Sequence, residues 1–399
     1  MSDRVPKWTQ PKDRPTVPHV ALRLLPRLTP LLTVWVLVAL SACAPQAPLV
    51  VGSTPAAAPV DMPRSKVALL LPLTGPQAPL GAALQQATEL ALFEQNDARV
   101  EFLPLDTAGS ASGAAEAARR AVGQGARAIV GPLTAAETSA ITPAARAARL
   151  PVMALTNDAA QAGAGIWALG ITPAQQVRRV MGASLSVGAR RFGLIAPDDA
   201  YGRALAAGMR ATAAAFNLPN PAVVLYNRTA GAAGPVQELA QQSNRDLDAV
   251  MIGATGLRAR ELAAALKTGM SGNPGPAILG HALWALDAGL ANEPALHGAL
   301  FAAPDQEARR GFDALFQQAF GQAPPRIAGV AHDAALMGAA VAKSPMGALP
   351  ESLPGLYGVD GPLRLAPNGE VLRGLALFRL GSNGEAVLVE SALMPAAGS

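Results

Sequence analysis

Short apolar runs alternate with helical patterns along most of the chain. Residues 67–71 read Val-Ala-Leu-Leu-Leu, an unbroken apolar run that is typical of a strand buried on both faces of a sheet. Gly75, Pro76 and Pro79 then interrupt the run, and from Leu80 apolar residues recur at helical spacing. This order predicts a strand, a tight loop and a helix. In open α/β sheets, ligands bind in the loops at the carboxyl ends of such strands.

The same alternation continues in two series. The first series predicts strands at 99–105, 126–130, 151–155 and 166–169, with helices at 113–122, 135–149 and 173–187. The second series predicts strands at 192–196, 222–226, 249–252 and 277–279, with helices at 201–216, 236–243 and 257–268. Strands separated by helical patterns indicate βαβ units and parallel sheets. Two such series, with a break near Gly188, predict two similar lobes.

The pattern changes after the second series. Helical spacing returns at 312–320 and 327–342, and two amphipathic segments follow at 361–365 and 375–380. The Pro-Asn-Gly sequence at 367–369 between them is a turn signal. We expect all of these elements to lie on the first lobe, so that the chain crosses between the lobes more than once.

Composition and charge exclude one class of function. Half of the 399 residues are apolar and 15% are charged, which is enough apolar material for more than one core. The first 42 residues hold six basic and two acidic residues, so the whole formal excess of +4 lies there and the rest has 26 of each sign. A body without net charge lacks the basic footprint of a nucleic-acid-binding protein, so we expect no nucleic-acid partner.

The N-terminal segment has the features of a targeting signal. Basic residues precede the apolar run at 31–40, which is too short to span a bilayer as a helix. Leu40-Ser41-Ala42-Cys43 follows and is similar to the bacterial lipoprotein box, in which cleavage before the cysteine leaves its thiol for lipidation. The alternative is a signal anchor with an incidental thiol. The polar leader is long, and translation could also begin downstream, for instance at Val17 or Val20.

Domain boundaries follow from these features. Cys43 is the only cysteine, so no disulfide framework forms. An Ala- and Pro-rich stretch without helical or strand period then runs to residue 64, as in an extended tether. We therefore predict a signal peptide at 1–42, a tether at 43–64, the first part of lobe 1 at 65–187, lobe 2 at 188–303, and a return to lobe 1 with C-terminal helices and a hairpin at 304–399.

Five short motifs carry a resemblance to a known family. In order, they read LPLTGPQAPLG at 71–81, DT at 106–107, GPLT at 131–134, DDAYG at 198–202 and HDA at 332–334. Together they resemble the type I periplasmic binding proteins of the leucine/isoleucine/valine receptor class. GHALW at 280–284 and GVDG at 358–361 are similar to the branch of penicillin-binding protein activator lipoproteins. The resemblance implies an α/β fold of two lobes, each a parallel sheet flanked by helices, with a ligand cleft between them.

The resemblance also implies a set of cleft residues, which come from both lobes: Gln77, Thr134, Thr156 and Asn157 from the first, and Tyr201, Thr255 and His281 from the second. Hydroxyls and amides at strand ends, beside helix N-termini, suit a carboxylate or another polar group. The alternative is purely structural, because threonine is a common helix N-cap and asparagine a common turn residue.

Arg258 argues against an amino-acid ligand. Receptors of this class present an acid to the ligand ammonium near this position, and an arginine repels an ammonium group. Either the ligand is not an amino acid or the cleft has lost that role, and we expect any ligand to be small and polar or anionic.

Enzyme motifs and cofactor motifs are weak. The chain has no Gly-x-Ser-x-Gly elbow and no phosphate-binding Gly-x-x-x-x-Gly-Lys loop, and His281, His297 and His332 lack metal-ligand spacing. The glycines at 163 and 165 precede a strand rather than opening a helix, which a dinucleotide fingerprint requires. We expect no catalysis, no cofactor and no metal.

Two binding functions remain. One is a penicillin-binding protein activator that contacts a peptidoglycan synthase; the other is the substrate-binding protein of an ABC importer for branched-chain or other amino acids, which would contact a permease. Ala44 follows Cys43, where the inner-membrane retention signal usually requires aspartate. We therefore expect a periplasmic protein held by its lipid anchor in the outer membrane, where an activator is the better fit.

Overall fold

The computed structural model describes residues 64–270, 275–344, 355–383 and 385–395. Cys43, the predicted signal segment and nearly all of the predicted tether lie outside these residues.

The first sheet is formed by five parallel strands in the order β2-β1-β3-β4-β5. Its strands are β1 (Ser65–Leu71), β2 (Val100–Asp106), β3 (Ala128–Val130), β4 (Val152–Ala154) and β5 (Ile166–Ala168). The helices that connect them are α1 (Ala78–Gln95), α2 (Ala111–Gly123) and α3 (Ala135–Ala147). The strand, loop and helix predicted at the start of the chain are present, and so is the predicted βαβ order.

Strand β1 is buried on both faces, as its unbroken apolar run predicts. Val67, Leu69 and Leu71 pack into one core cluster with α1, while Ala68 and Leu70 pack into another with α2 and α3. Successive side chains of a strand point to opposite faces, so a strand between two helical layers needs apolar residues at every position. Each fully buried leucine contributes roughly 1.5–3 kcal/mol relative to an exposed one.

The chain passes to the second sheet directly after β5. Helix α4 (Pro173–Ser186) packs on that sheet, since Val177, Val180 and Met181 share a core cluster with its strands. The predicted boundary at residue 187 is therefore wrong, because α4 belongs with the second sheet. A helical pattern specifies an apolar face but not which of two sheets will cover it.

The second sheet contains five parallel strands in the order β10-β9-β8-β6-β7. Their bounds are β6 (Phe192–Pro197), β7 (Ala222–Tyr226), β8 (Ala249–Ile252), β9 (Ala277–Gly280) and β10 (Leu300–Ala303). The connecting helices are α5 (Ala200–Ala215), α6 (Ala233–Gln242) and α7 (Gly256–Gly269), and short 3₁₀ turns occupy Ala282–Leu286, Ala288–Asn292 and Pro294–Leu296.

The chain then returns to the first sheet. Helices α8 (Gln306–Phe320) and α9 (Ala328–Lys343) share a core cluster with β1. A small antiparallel sheet of β11 (Leu356–Gly358), β12 (Gly361–Leu365) and β13 (Val371–Arg373) joins the same cluster through Val359, Leu363 and Val371. This part agrees with the expected return of the chain.

The last two strands contradict the prediction that the whole C-terminal part lies on the first lobe. β14 (Ala376–Leu380) pairs antiparallel with β10, and β15 (Ala386–Glu390) pairs with β14, so both extend the second sheet. Phe378 of β14 stacks on Phe301 of β10 with ring centroids 5.5 Å apart. An alternating pattern shows which face of a strand is buried, but it does not identify the sheet edge that accepts the strand.

The predicted turn at 367–369 is present but connects different strands. Ala366 and Glu370 close it through a backbone hydrogen bond of 2.8 Å, and Gly369 adopts φ of 90°. It joins β12 to β13, whereas the sequence predicted that the next strand would be the one at 375–380. β13 has only three residues, too few for its alternation to be recognised in the sequence.

Candidate functional site

The loop between β1 and α1 is held by the carboxylate of Asp106, at the end of β2. Its Oδ1 accepts hydrogen bonds from the backbone N–H groups of Leu73, Thr74 and Ala108 at 2.8–3.2 Å, and its Oδ2 accepts from the Thr74 hydroxyl at 2.6 Å. Burial alone would raise the pKa of Asp106, but these hydrogen bonds lower it overall. The Asp106 carboxylate therefore already accepts hydrogen bonds from Leu73 and Thr74, in the loop in which the resemblance places a ligand.

Gln77 stands at the N-cap position of α1. Its side chain is exposed and makes no capping hydrogen bond. Its Oε1 lies close to Gly109 of the neighbouring strand-to-helix loop, where a Cβ would approach it to 2.9 Å. The Gln77 amide is thus a solvent-exposed polar group in the loop at the carboxyl end of β1.

Thr134 is a helix cap. Its hydroxyl accepts from the backbone N–H of Glu137 at 3.2 Å and donates to the Glu137 carboxylate at 2.8 Å, while that carboxylate also accepts from the Thr134 N–H at 3.0 Å. Glu137 is buried, and its other oxygen accepts from the Thr107 hydroxyl at 2.6 Å. This capping box uses both the donor and the acceptor capacity of the Thr134 hydroxyl at the start of α3.

Thr156 and Asn157 follow β4 and differ in exposure. The buried Thr156 hydroxyl accepts from the Asp158 N–H at 3.1 Å and so closes a local turn. The Asn157 side chain is exposed. Of the four candidates on the first sheet, Gln77 and Asn157 therefore present open polar side chains, whereas Thr134 and Thr156 serve the local backbone.

Tyr201 and His281 come together on the second sheet. The Tyr201 hydroxyl lies 3.3 Å from His281 Nδ1 and 3.2 Å from Gln176 Oε1. Gln176 Oε1 also accepts from the backbone N–H of Ala282 at 2.8 Å. His281 is 1% exposed, and burial lowers its pKa to about 4. Burial likewise raises the pKa of Tyr201 to about 12.

These contacts assign the proton of His281. A carbonyl can only accept, so His281 Nε2, at 3.2 Å from the Ala254 carbonyl, carries the hydrogen. The neutral ring then offers Nδ1 as an acceptor to Tyr201, whose single hydroxyl hydrogen is shared between Nδ1 and Gln176 Oε1. The buried Trp284 indole donates to the same Ala254 carbonyl at 2.8 Å. The polar groups of this cluster therefore satisfy one another.

Thr255 stands at the N-cap position of α7 without capping it. Its side chain is exposed and makes no side-chain cap hydrogen bond. Instead, the carboxylate of Asp287 accepts from the first helical N–H, that of Gly256, at 2.6 Å. A negative charge from the chain itself thus occupies the end of α7 that would otherwise attract an anionic ligand.

Arg258 lies in the first turn of α7. Its guanidinium is 3.0 Å from the Glu261 carboxylate, and it stands over the Tyr226 ring at 5.9 Å from the centroid. The Arg258 guanidinium and the Glu261 carboxylate therefore form an ion pair in which the two charges neutralise each other.

The structure joins only part of the predicted set. Tyr201 and His281 are in contact, but among the described residues no hydrogen bond or ion pair joins a first-sheet candidate to a second-sheet candidate. Gln176, Glu137 and Asp287 were not among the residues predicted from the sequence. The only available signal was for Glu137, since a threonine followed by glutamate three residues later is the pattern of a capping box.

A cavity of about 650 Å³ lies elsewhere, against α4, β13 and the segment after β15. None of the seven predicted cleft residues lines it. In the described part of the chain, no group of three or more His, Cys, Asp or Glu side chains could hold a metal ion. The described helices include none that is both long and apolar enough to cross a membrane.

Two helix-flanked sheets, with several passages of the chain between them, define the two-lobed fold of the type I binding proteins. The chain belongs to the periplasmic binding protein family, whose model matches residues 65–383. This confirms the resemblance and the fold class inferred from the sequence. The family is one of binding proteins, and its membership implies a periplasmic location. A search of curated protein sequences gives no significant match.

Solved structures of two kinds share the fold. A putative branched-chain amino acid ABC transporter protein from Rhodospirillum rubrum is 19% identical with a TM-score of 0.68, over 82% of this chain and all of that one. The C-domain of LpoA from Haemophilus influenzae, described as a regulator of PBP1A, is 18% identical with a TM-score of 0.64, over 82% of this chain and all of that domain. Full-length LpoA is covered over 59% of its length, at 18% identity and a TM-score of 0.65. At these identities the similarity establishes the fold alone.

Proposed function

We propose that this chain is a non-catalytic periplasmic lipoprotein that contacts a penicillin-binding protein and supports peptidoglycan synthesis. The observation that carries the proposal is the closed hydrogen-bond cluster of Tyr201, Gln176 and His281. A receptor for a small polar solute needs donors and acceptors that are free to meet it. Here the hydroxyl, amide oxygen and imidazole on the second sheet are already partners of one another.

The ends of the helices support the same proposal. Asp287 occupies the N-terminus of α7, and Asp106 accepts the backbone N–H groups of the β1–α1 loop. A ligand carboxylate would have to displace an internal carboxylate at either place. Arg258, paired with Glu261, leaves no free acid there for a ligand ammonium.

The predicted location in the outer membrane also supports the proposed function. Lipidation at Cys43, with Ala44 next to it, would place the protein on the outer membrane, away from an inner-membrane permease. A tether of about 20 residues at roughly 3 Å per residue would reach on the order of 60 Å into the periplasm. The fold shared with the C-domain of LpoA is consistent with such a role, because that protein is described as a regulator of a penicillin-binding protein.

Photo-crosslinking in living cells tests the partner. A photoreactive amino acid is placed singly at Phe93, Val187 or Tyr357, which are 80%, 82% and 77% exposed, so that the replacement costs little packing. We expect a penicillin-binding protein to be captured from at least one of these positions. The same three variants without irradiation should capture nothing. Capture of a permease and its ATPase instead would overturn the proposal.

The second candidate function, delivery of an amino acid to an ABC importer, is favoured by one observation. Gln77, Asn157 and Thr255 are exposed polar residues at helix starts or strand ends, and within the described part of the chain their side chains make no hydrogen bond. A receptor in a hundredfold excess of leucine over its dissociation constant would gain about 2.7 kcal/mol of stability. We expect no shift of the melting temperature with leucine, isoleucine or valine. A leucine shift that is lost in Thr255→Ala and kept in the control Thr268→Ala, at the other end of α7, would restore the receptor.

A further inference from the structure

The cavity of about 650 Å³ lies where elements of the two sheets meet. Helix α4 and Leu375, just before β14, supply wall residues from the second sheet. The loop that contains Ala162, between β4 and β5 of the first sheet, and the strand β13 of the small antiparallel sheet supply the others. Cavities of 300–1,000 Å³ are the size that binds small molecules in proteins. The cavity is separate from the seven residues of the predicted cleft.

One line of residues on α4 faces this cavity. Ala174, Arg178 and Gly182 are spaced by four, so they lie above one another on the same side of the helix. A Cβ built on Gly182 would meet nothing within 4 Å, which makes this position open space. Two small residues thus flank one long cationic side chain.

The segment after β15 closes another side with apolar groups. It reaches the small antiparallel sheet, where Arg364 Nε lies 3.4 Å from the Pro395 carbonyl, and it passes so close to Gly374 that a Cβ there would collide with the Leu393 carbonyl. Leu393 and Met394 line the cavity, together with Leu372 of β13. Together with Pro395, these side chains give the cavity an apolar portion beside its polar and charged lining residues.

The charges of the cavity leave Arg178 available. Arg179 donates to Glu390 at 2.7 Å and to the Leu375 carbonyl at 2.9 Å. Arg373 is held by the carbonyls of Leu169 and Asp360 at 3.0 and 3.3 Å. Arg178 is 57% exposed, and its nearest carboxylate in an ion pair, that of Glu370, is 3.9 Å away. At that distance Glu370 makes no hydrogen bond that a ligand would have to replace.

We propose that this cavity binds an amphiphilic monocarboxylate, with its apolar body against Leu372, Leu393 and Met394 and its carboxylate on the guanidinium of Arg178. Burial of the apolar body supplies the driving force, and the planar guanidinium selects the carboxylate. Because the walls come from elements of both sheets, a bound ligand fixes those elements relative to one another. This site does not depend on the proposed partner of the protein.

Octanoate is the probe, measured by titration calorimetry and by the shift of the melting temperature. We expect saturable binding of octanoate and at least tenfold weaker binding of 1-octanol, since the uncharged alcohol cannot accept the pair of hydrogen bonds that a carboxylate accepts from a guanidinium. Arg178→Gln should weaken octanoate binding about tenfold for the same reason. Gly182→Leu should weaken it by occupying the part of the cavity beside Arg178. Comparing octanoate with acetyl-Leu-Leu distinguishes a free fatty acid from the carboxyl end of an apolar peptide as the natural source, and acetyl-Leu-Leu amide shows whether the peptide carboxylate is needed.

Two variants are matched controls. Arg203 is 58% exposed and pairs with Asp198, so Arg203→Gln removes an equally exposed arginine away from the cavity. Gly311 of α8 also has open space around it, so Gly311→Leu gives the same gain in helix propensity elsewhere. Both should bind octanoate like the unaltered chain. Absence of saturable binding, equal binding of 1-octanol, or equal losses in the test and control variants would each overturn the proposal.

Discussion

Arg373 donates from Nη2 to the carbonyl of Leu169 at 3.0 Å. Leu169 follows the last strand of the first sheet, and Arg373 ends β13, just before the chain enters the second sheet at β14. This hydrogen bond therefore joins two of the segments in which the chain crosses from one sheet to the other. The Arg373 side chain is fully buried, and Nη1 also donates to the Asp360 carbonyl at 3.3 Å and lies 3.9 Å from Asp333 Oδ2.

Replacing Arg373 should destabilise the protein strongly. Arg373→Ala removes the guanidinium beside the fully buried carboxylate of Asp333, and loss of one partner of a buried charged pair costs roughly 3–5 kcal/mol. The measurement is urea unfolding followed by circular dichroism. The control is Arg364→Ala in the neighbouring strand β12, whose side chain makes a single long hydrogen bond within the described residues, 3.4 Å to the Pro395 carbonyl. Equal effects of the two substitutions would show that the passage between the sheets does not depend on Arg373.

Two threonines at helix N-caps should respond differently to alanine. Thr134 caps α3 through a capping box, so Thr134→Ala should cost about 1 kcal/mol of unfolding free energy. Thr255 makes no capping hydrogen bond to α7, so Thr255→Ala should change stability by less than about 0.5 kcal/mol. Thr134→Ser, which keeps the hydroxyl, should recover most of the loss. A larger cost at Thr255 than at Thr134 would contradict this assignment of the two caps.

His281 should make the protein less stable in mild acid. Its pKa falls from 6.5 in the unfolded chain to about 4 in the folded one, so the unfolded chain binds more protons between these values. The contribution of His281 to the unfolding free energy is therefore fully present above about pH 6.5 and decreases as the pH falls to about 4. At 1.36 kcal/mol per pKa unit, the decrease is roughly 3 kcal/mol. His281→Gln should reduce this loss, measured as unfolding free energy from pH 7 to pH 4.

His332 provides the opposing control. Burial alone would lower the pKa of His332, but the carboxylates of Asp333 and Glu94 raise it overall. Its contribution is therefore present below the unfolded pKa of about 6.5 and is lost as the pH rises through the folded value. His332→Gln should make the loss of stability in acid larger, in the direction opposite to His281→Gln. Changes of the same sign in both variants would rule out this explanation.

Cys43 should be the site of lipidation. Cys43→Ser removes the thiol that a thioether requires, so the protein should accumulate in unprocessed form or leave the outer-membrane fraction. The measurements are gel mobility, membrane fractionation and incorporation of a labelled fatty acid. Ser53→Ala, in the predicted tether, is the control and should behave like the unaltered chain. Unchanged mobility and fractionation of Cys43→Ser would remove the basis for the lipoprotein prediction.

The sequence by itself determined the layered α/β fold and its local elements. The run at 67–71 is apolar at every position because β1 has a helical layer on each face. Burial on both faces therefore appears in the sequence as five consecutive apolar residues. The capping box at Thr134 and Glu137 is also local, since its partners are three residues apart. Such features depend on near neighbours in the chain, and a single sequence displays them directly.

The tertiary structure alone decided which sheet each late element joins and which polar groups meet. Strand β14 extends the second sheet because Phe378 packs on Phe301, a residue 77 positions earlier in the numbering. The acceptor for Tyr201 comes from His281, 80 positions later, and the anion at the Gly256 N–H of α7 comes from Asp287, 31 positions later. Periodicity specifies what a segment must bury, whereas the identity of its partner depends on packing between distant segments, which local patterns do not encode.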